Sequence, residues 1–166
     1  MKRSILLMLI FTLSVSAFSQ SGVKIFGFYR DVLPGTIPRG TDENGKAIPK
    51  PTVNIEYLIY ISGPSKTKIY PVEVWINGER FSASGTLENH SPVQTTGDLG
   101  KIITLVPKTS GTVQKIHTNK AIDGKNFPNA KAKAATNELV IVYKMNGKFY
   151  SSALKHLQKI EPVNHQ

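Results

Sequence analysis

No cysteine occurs anywhere in this chain, so no disulfide can staple it and no thiolate can complete a zinc site. Small disulfide-built scaffolds are thereby excluded, and stability must come from packing. Acidic residues are also scarce: eleven Asp and Glu stand against 21 Lys and Arg, a formal net charge of +10. Tryptophan occurs once, at Trp75. Beyond Val15 no apolar run is long enough to cross a bilayer, and helical periodicity is almost missing.

Motifs of catalysis are equally sparse. No Gly-x-Ser-x-Gly elbow is present, and Ser82-Ala83-Ser84-Gly85 falls inside an extended run rather than at a strand-to-helix turn. The four histidines, His90, His117, His156 and His165, show neither His-x-His nor His-Glu-x-x-His spacing, so no metal site is expected. Asp42-Glu43-Asn44-Gly45 begins like a calcium loop, but Lys46 follows and no bidentate glutamate arrives. A plain turn explains the same residues. No glycine-rich phosphate loop opens a helix, and no cofactor is expected. The one catalytic alternative is a small hydrolase whose site brings together Glu56, Glu73 and a histidine, since glycosidase-type chemistry needs two carboxyls in one cleft.

What is present begins with a leader. Lys2 and Arg3 precede an apolar run from Ile5 to Val15, and Ala17-Phe18-Ser19 fits the small-x-small cleavage rule. Residues 1–19 are expected to be removed, leaving a single domain over 20–166 and export to the periplasm or beyond, in a Gram-negative bacterium. No cysteine follows the apolar run, so bacterial-type lipid attachment is unavailable.

The positive charge is unevenly placed. From Gln20 to Gly100 basic and acidic residues balance at eight each, whereas Lys101 to Gln166 holds eleven lysines against Asp123, Glu138 and Glu161. Such asymmetry suits an anionic neighbour, a glycan or a lipid surface, or else solvated lysines on strand faces. Export makes nucleic acid a poor candidate.

The most informative stretch runs from Tyr70 to Leu87. Asn77-Gly78 separates two alternating runs, the strongest short-range hairpin signal, because a type I′ turn needs positive φ at both central residues. A two-residue turn sets Ile76 opposite Glu79, Val74 opposite Phe81 and Val72 opposite Ala83. Tyr70, Val72, Val74 and Ile76 then share an apolar face with Phe81, Ala83 and Leu87. Asn146-Gly147 repeats the logic, pairing Leu139, Ile141 and Tyr143 with Leu154, Ser152 and Tyr150. Val140 and Val142 fill the opposite face, which marks a central strand.

Further strands are expected over Val23–Val32, Thr52–Ser62, Lys101–Val106 and Thr112–Thr118. Gly27 suggests a bulge or the close approach of another backbone. Prolines and glycines at about 33–51 rule out regular structure there, and a second loop is expected from Glu88 to Gly100. Ala130–Ala135 stays unassigned, because alanine favours helix but nothing caps it. Leu154, Leu157 and Ile160, three residues apart, hint at one short terminal helix.

Eight short strands with turn signals between them point to an all-β, two-layer antiparallel β-sandwich, immunoglobulin-like, with a partly open β-barrel as the alternative. Two features favour binding over catalysis. Trp75 and Arg80 stand across from each other and can offer a stacking surface if their face is open. Lys131, Lys133, Lys144 and Lys148 concentrate charge. The expectation is a non-catalytic exported protein acting through surface contacts, as an accessory or structural subunit of a cell-envelope assembly. The binding alternative is a module for anionic glycan or lipid using these lysines and Trp75.

Overall fold

The computed structural model describes residues 22–33, 53–97, 100–124 and 127–164. The expected leader, the bulk of the Pro/Gly-rich loop with its Asp42–Gly45 pattern, and His165 lie outside the described residues. In chain order the strands are β1 (Lys24–Leu33), β2 (Asn54–Gly63), β3 (Ile69–Ile76), β4 (Glu79–Leu87), β5 (Val93–Thr96), β6 (Ile102–Val106) and β7 (Thr112–Ala121). Helix α1 (Pro128–Ala134) follows, then β8 (Leu139–Met145), β9 (Lys148–Leu154), β10 (Gln158–Lys159) and β11 (Val163–Asn164).

Both Asn-Gly pairs make the turns their chemistry demands. Asn77 and Gly78 have φ of 50° and 85°, and Asn146 and Gly147 have 50° and 78°. The registers follow: Val74 pairs with Phe81, Trp75 with Arg80 and Ile76 with Glu79, while Leu139, Ile141 and Tyr143 face Leu154, Ser152 and Tyr150. The two hairpins join one large sheet of order β10-β1-β2-β7-β4-β3-β8-β9, with β11 also on β1. Antiparallel pairing dominates, and only the tail strands run parallel to β1. The sheet curls into a half-barrel, so the all-β class holds in a form compatible with either a sandwich or a partly open barrel.

Three apolar clusters hold this shape. Inside the curl, Ile59, Ile61, Val74, Ile76, Ile116, Leu139, Ile141, Tyr143 and Leu157 pack together. On the outer face of β1 and β2, Phe28, Leu58 and Tyr60 lie against Leu105 and Val106 of the separate β5-β6 hairpin. This covering explains why Leu58 and Tyr60 are apolar on a face that Asn54 and Glu56 begin as polar. On the outer face of β3 and β8, Trp75, Val140 and Val142 lie beneath Ala130 and Ala134. Each fully buried large side chain contributes roughly 1.5–3 kcal/mol.

Gly27 marks where the curl draws its ends together. A Cβ there would stand 2.6 Å from Leu157 Cδ2 and 2.7 Å from Leu139 Cδ2. The close approach is by leucine side chains, neither by another backbone nor through a bulge, for the β1–β2 register runs unbroken from Lys24 to Val32.

Several expectations need correction. Tyr70 does not share the face of Val74: Pro71 pairs with Tyr143 and Glu73 with Val142, so β3 carries one extra residue there. That bulge reverses the alternation. Ile69 turns inward and Tyr70 is left 56% exposed. Leu87 keeps the expected parity, but it is the last residue of β4 and is left 61% exposed. The segment read as a loop to Gly100 contains β5, whose polar Val-Gln-Thr-Thr gives little alternation to read. Pro128–Ala134 is helical without any side-chain cap. Proline suits the first helical position, and Ala130 and Ala134, four apart, dock on Trp75, where packing offsets the missing cap. The terminal segment is extended rather than helical. Leu157 enters the interior cluster and Ile160 the outer one, the opposite directions an extended chain gives to residues three apart. Lys159 fastens this tail to β1 through Asp31, 2.8 Å away, and the bond holds the lysine's pKa above its usual value.

Candidate functional site

The residues expected to bind do not form one surface. Trp75 is only 7% exposed and lies under α1. Most of the ring expected to stack is therefore covered, and what remains borders the hollow that Arg80 and Lys131 also line. Its indole Nε1 donates to Glu73 Oε1 at 3.0 Å, and Glu73 Oε2 accepts from Arg80 Nε at 2.8 Å and Nη2 at 2.5 Å. Glu73 is 1% exposed. Arg80 also donates to the Gly124 carbonyl, 3.3 Å away, and its guanidinium sits 5.8 Å from the Trp75 ring. A buried carboxylate held this way ties β3, β4 and the turn after β7 together, which is structural work.

The four lysines also part company. Lys131 borders an open hollow of about 550 Å³ with Trp75, Arg80 and Asp123. Lys133 Nζ donates to the Ser151 carbonyl at 2.7 Å and its hydroxyl at 2.8 Å, pinning α1 to β9. Because β9 is the last strand of the sheet, that ammonium also caps an edge carbonyl, a familiar guard against strand addition. Lys144 lies 5.9 Å from the Phe149 ring, and Lys148 is exposed beside it at the hairpin end.

Glu56 and Glu73, the carboxylates expected to converge, are each engaged by an arginine. Arg30 Nε donates to Glu56 Oε2 at 2.6 Å, and β7 and β4 separate their strands in the sheet. Burial raises the Tyr60 phenol above its usual 10.0, with the charges of Glu88 and Glu56 adding to the shift. His156 Nδ1 lies 3.2 Å from Glu138 Oε1, while Glu138 Oε2 accepts the Leu157 N–H at 2.7 Å. Those two hydrogen bonds, the backbone one first, hold the Glu138 carboxyl below its usual pKa. Among the described residues no three His, Asp or Glu side chains come together as a metal site.

The feature with the clearest capacity to hold something is a cleft of about 690 Å³ where β3 and β7 begin and β4 ends. It is built by residues that no sequence motif joins. Ile69, Tyr70 and Pro71 begin β3, while Ala83, Gly85 and Leu87 form the second half of β4. Thr112 and Gln114 come from β7, and the turn Ser65–Lys68 forms the rim. The lining is predominantly apolar and contains no acidic residue. Gly85 keeps the floor low, since a Cβ there would displace the Gln114 side-chain oxygen and stand 3.0 Å from Pro71 Cγ. The space lets Gln114 reach across β4 and donate from Nε2 to the Ile69 carbonyl at 2.9 Å.

One signal for this cleft was present in the chain. Gly63-Pro64-Ser65-Lys66-Thr67-Lys68 sets two lysines on a tight turn directly before an apolar strand. The Thr67 N–H donates to the Pro64 carbonyl at 3.0 Å and closes that turn. The contribution of β7 carries no such signal, because it depends on β7 lying between β2 and β4.

No protein-family model, curated protein or solved structure matches this chain. Among the described residues no helix is long and apolar enough to cross a membrane.

Proposed function

We propose that this chain is an exported, non-catalytic protein of a Gram-negative cell envelope that works by surface contact, with the cleft between β3, β4 and β7 as its contact site. The observation that carries the reading is the exposure of Tyr70 and Leu87 around a mostly apolar concavity with a lysine rim. Concave apolar sites with a few convergent polar groups are where proteins take up ligands and partner side chains. The leader pattern over 1–19 supports export. The engagement of Glu56 and Glu73 by Arg30 and Arg80 weighs against an acid pair poised for hydrolysis. An accessory subunit of an envelope assembly is the role that fits a small basic domain of this kind. An anionic glycan or lipid held by stacking on Trp75 finds no support in the burial of that side chain.

The test is expression of the full chain in a Gram-negative host, followed by fractionation and mass spectrometry of the N-terminus and of co-purifying molecules. The reading predicts a mature chain outside the cytoplasm, and a companion that is retained by wild type and lost from Leu87→Glu. A cytoplasmic full-length chain, or a companion indifferent to Leu87→Glu, would overturn it.

A further inference from the structure

The cleft holds one polar oddity. Thr112 Oγ1 is the buried side-chain polar atom that has no hydrogen-bond partner among the described residues, and Thr112 lines the cleft beside the lysine-bearing turn. Thr112 pairs with Gly63, at the base of that turn. With no accessible surface of its own, that hydroxyl is a cost the fold carries and not a contact for a ligand, which leaves the lysines as the charged part of the cleft. Lys66 and Lys68 are exposed on the same rim. The cleft therefore carries two ammoniums on its rim and apolar surface from Tyr70, Pro71 and Leu87 beside them.

We infer that the cleft takes a single-chain amphiphile with a carboxylate head, its chain along Pro71 and Leu87 and its head between Lys66 and Lys68. The inference rests on the contact-site reading above and names the ligand of that same site. Charge selects the head group: two lysines and no acidic side chain line the cavity, so an anion is favoured over a neutral or cationic group. Size selects the chain number, because about 690 Å³ lies within the range of about 300–1,000 Å³ typical of small-ligand sites. Shape selects a dissolved molecule over a bilayer. The other exposed large apolar residues, Val53, Ile55, Ile102, Phe149 and Tyr150, lie on β2, β6 and β9 or their flanks and do not line this cleft.

Titration calorimetry of the mature protein with monomeric myristate tests this, alongside tetradecanol and phosphatidylglycerol vesicles. One-to-one saturable binding of myristate is expected, at least tenfold weaker for tetradecanol and for Lys66→Glu/Lys68→Glu. Thr112→Val should leave myristate affinity within about twofold and the thermal midpoint of the free protein equal or higher, since it deletes an unpaired hydroxyl that no ligand reaches. The contrast with the lysine variant separates head-group contacts from a structural role in the lining. No saturable binding of myristate, equal affinity for the alcohol, binding unchanged in the lysine variant, or binding to vesicles alone would each overturn the assignment. Failure of myristate together with cleft-dependent recovery of a protein companion would overturn the ligand and leave the contact reading standing.

Discussion

Replacing Arg80 by methionine gives the sharpest test of how the outer face of β3 is held. The substitution keeps a long aliphatic stem and removes the guanidinium that supplies two hydrogen bonds to Glu73 Oε2, at 2.8 and 2.5 Å. Glu73 is 1% exposed and the Arg80 side chain 12% exposed, so water cannot take the guanidinium's place cheaply. Removing one partner of a buried pair costs about 3–5 kcal/mol, a large part of the roughly 5–15 kcal/mol that holds a domain together. At a urea dependence of ~2 kcal/mol per molar, the unfolding midpoint should fall by ~2 M. The double variant Glu73→Gln/Arg80→Met keeps an acceptor for the Trp75 indole and removes the stranded charge, so it should be more stable than Arg80→Met alone. The assay is equilibrium urea unfolding followed by Trp75 fluorescence, read as a double-mutant cycle. A loss below about 1 kcal/mol, the worth of an exposed pair, or a double variant no better than the single one, would refute the reasoning.

Three further outcomes follow from the same contacts. Gly27→Val should destabilise by about 1–3 kcal/mol, as overpacking does, because Leu157 and Leu139 already stand within 2.7 Å of where its Cβ would lie; chemical denaturation checks it. Lys133→Met removes both bonds to Ser151 and uncovers the β9 edge, so it should lower the melting temperature and raise self-association in sedimentation. The Glu138 carboxyl has a folded pKa below its usual 4.5, so its contribution is complete above 4.5 and fades as pH falls through the folded value. The stability gap between wild type and Glu138→Gln should accordingly be open at pH 7 and close in the acid range below 4.5, measured by unfolding at a series of pH values.

Local chemistry made much of this fold readable. Asn77-Gly78 and Asn146-Gly147 specify their turns through positive φ, and the alternation on either side then dictates the register of both hairpins. The apolar residues on both faces of β8 likewise identify a strand paired on both sides, with Val140 and Val142 under the helix. What escaped depends on contacts distant in sequence. The bulge at Val72 moved Tyr70 to the outside, and nothing in Tyr-Pro-Val-Glu announces which residue will be the extra one. The cover over Trp75 is a seven-residue helix that forms because the tryptophan lies below it, so neither is legible without the other. The same holds for the cleft, since β7 enters between β2 and β4 and delivers Thr112 and Gln114 to a floor begun by Gly85. Charge counting does not tell how each lysine is used: Lys133 is occupied with the backbone of β9, whereas Lys66 and Lys68, on the cleft rim, sit in the half of the chain whose charges balance.

The contact site can be probed in the envelope itself by placing a photoreactive phenylalanine analogue at position 87 and, in a separate chain, at position 148. Both positions are exposed, but only Leu87 lines the cleft. Light-dependent adducts, whether lipid or protein, are expected at 87 and not at 148. Adducts of equal yield at both positions, or none at 87, would contradict the assignment of the cleft as the working surface.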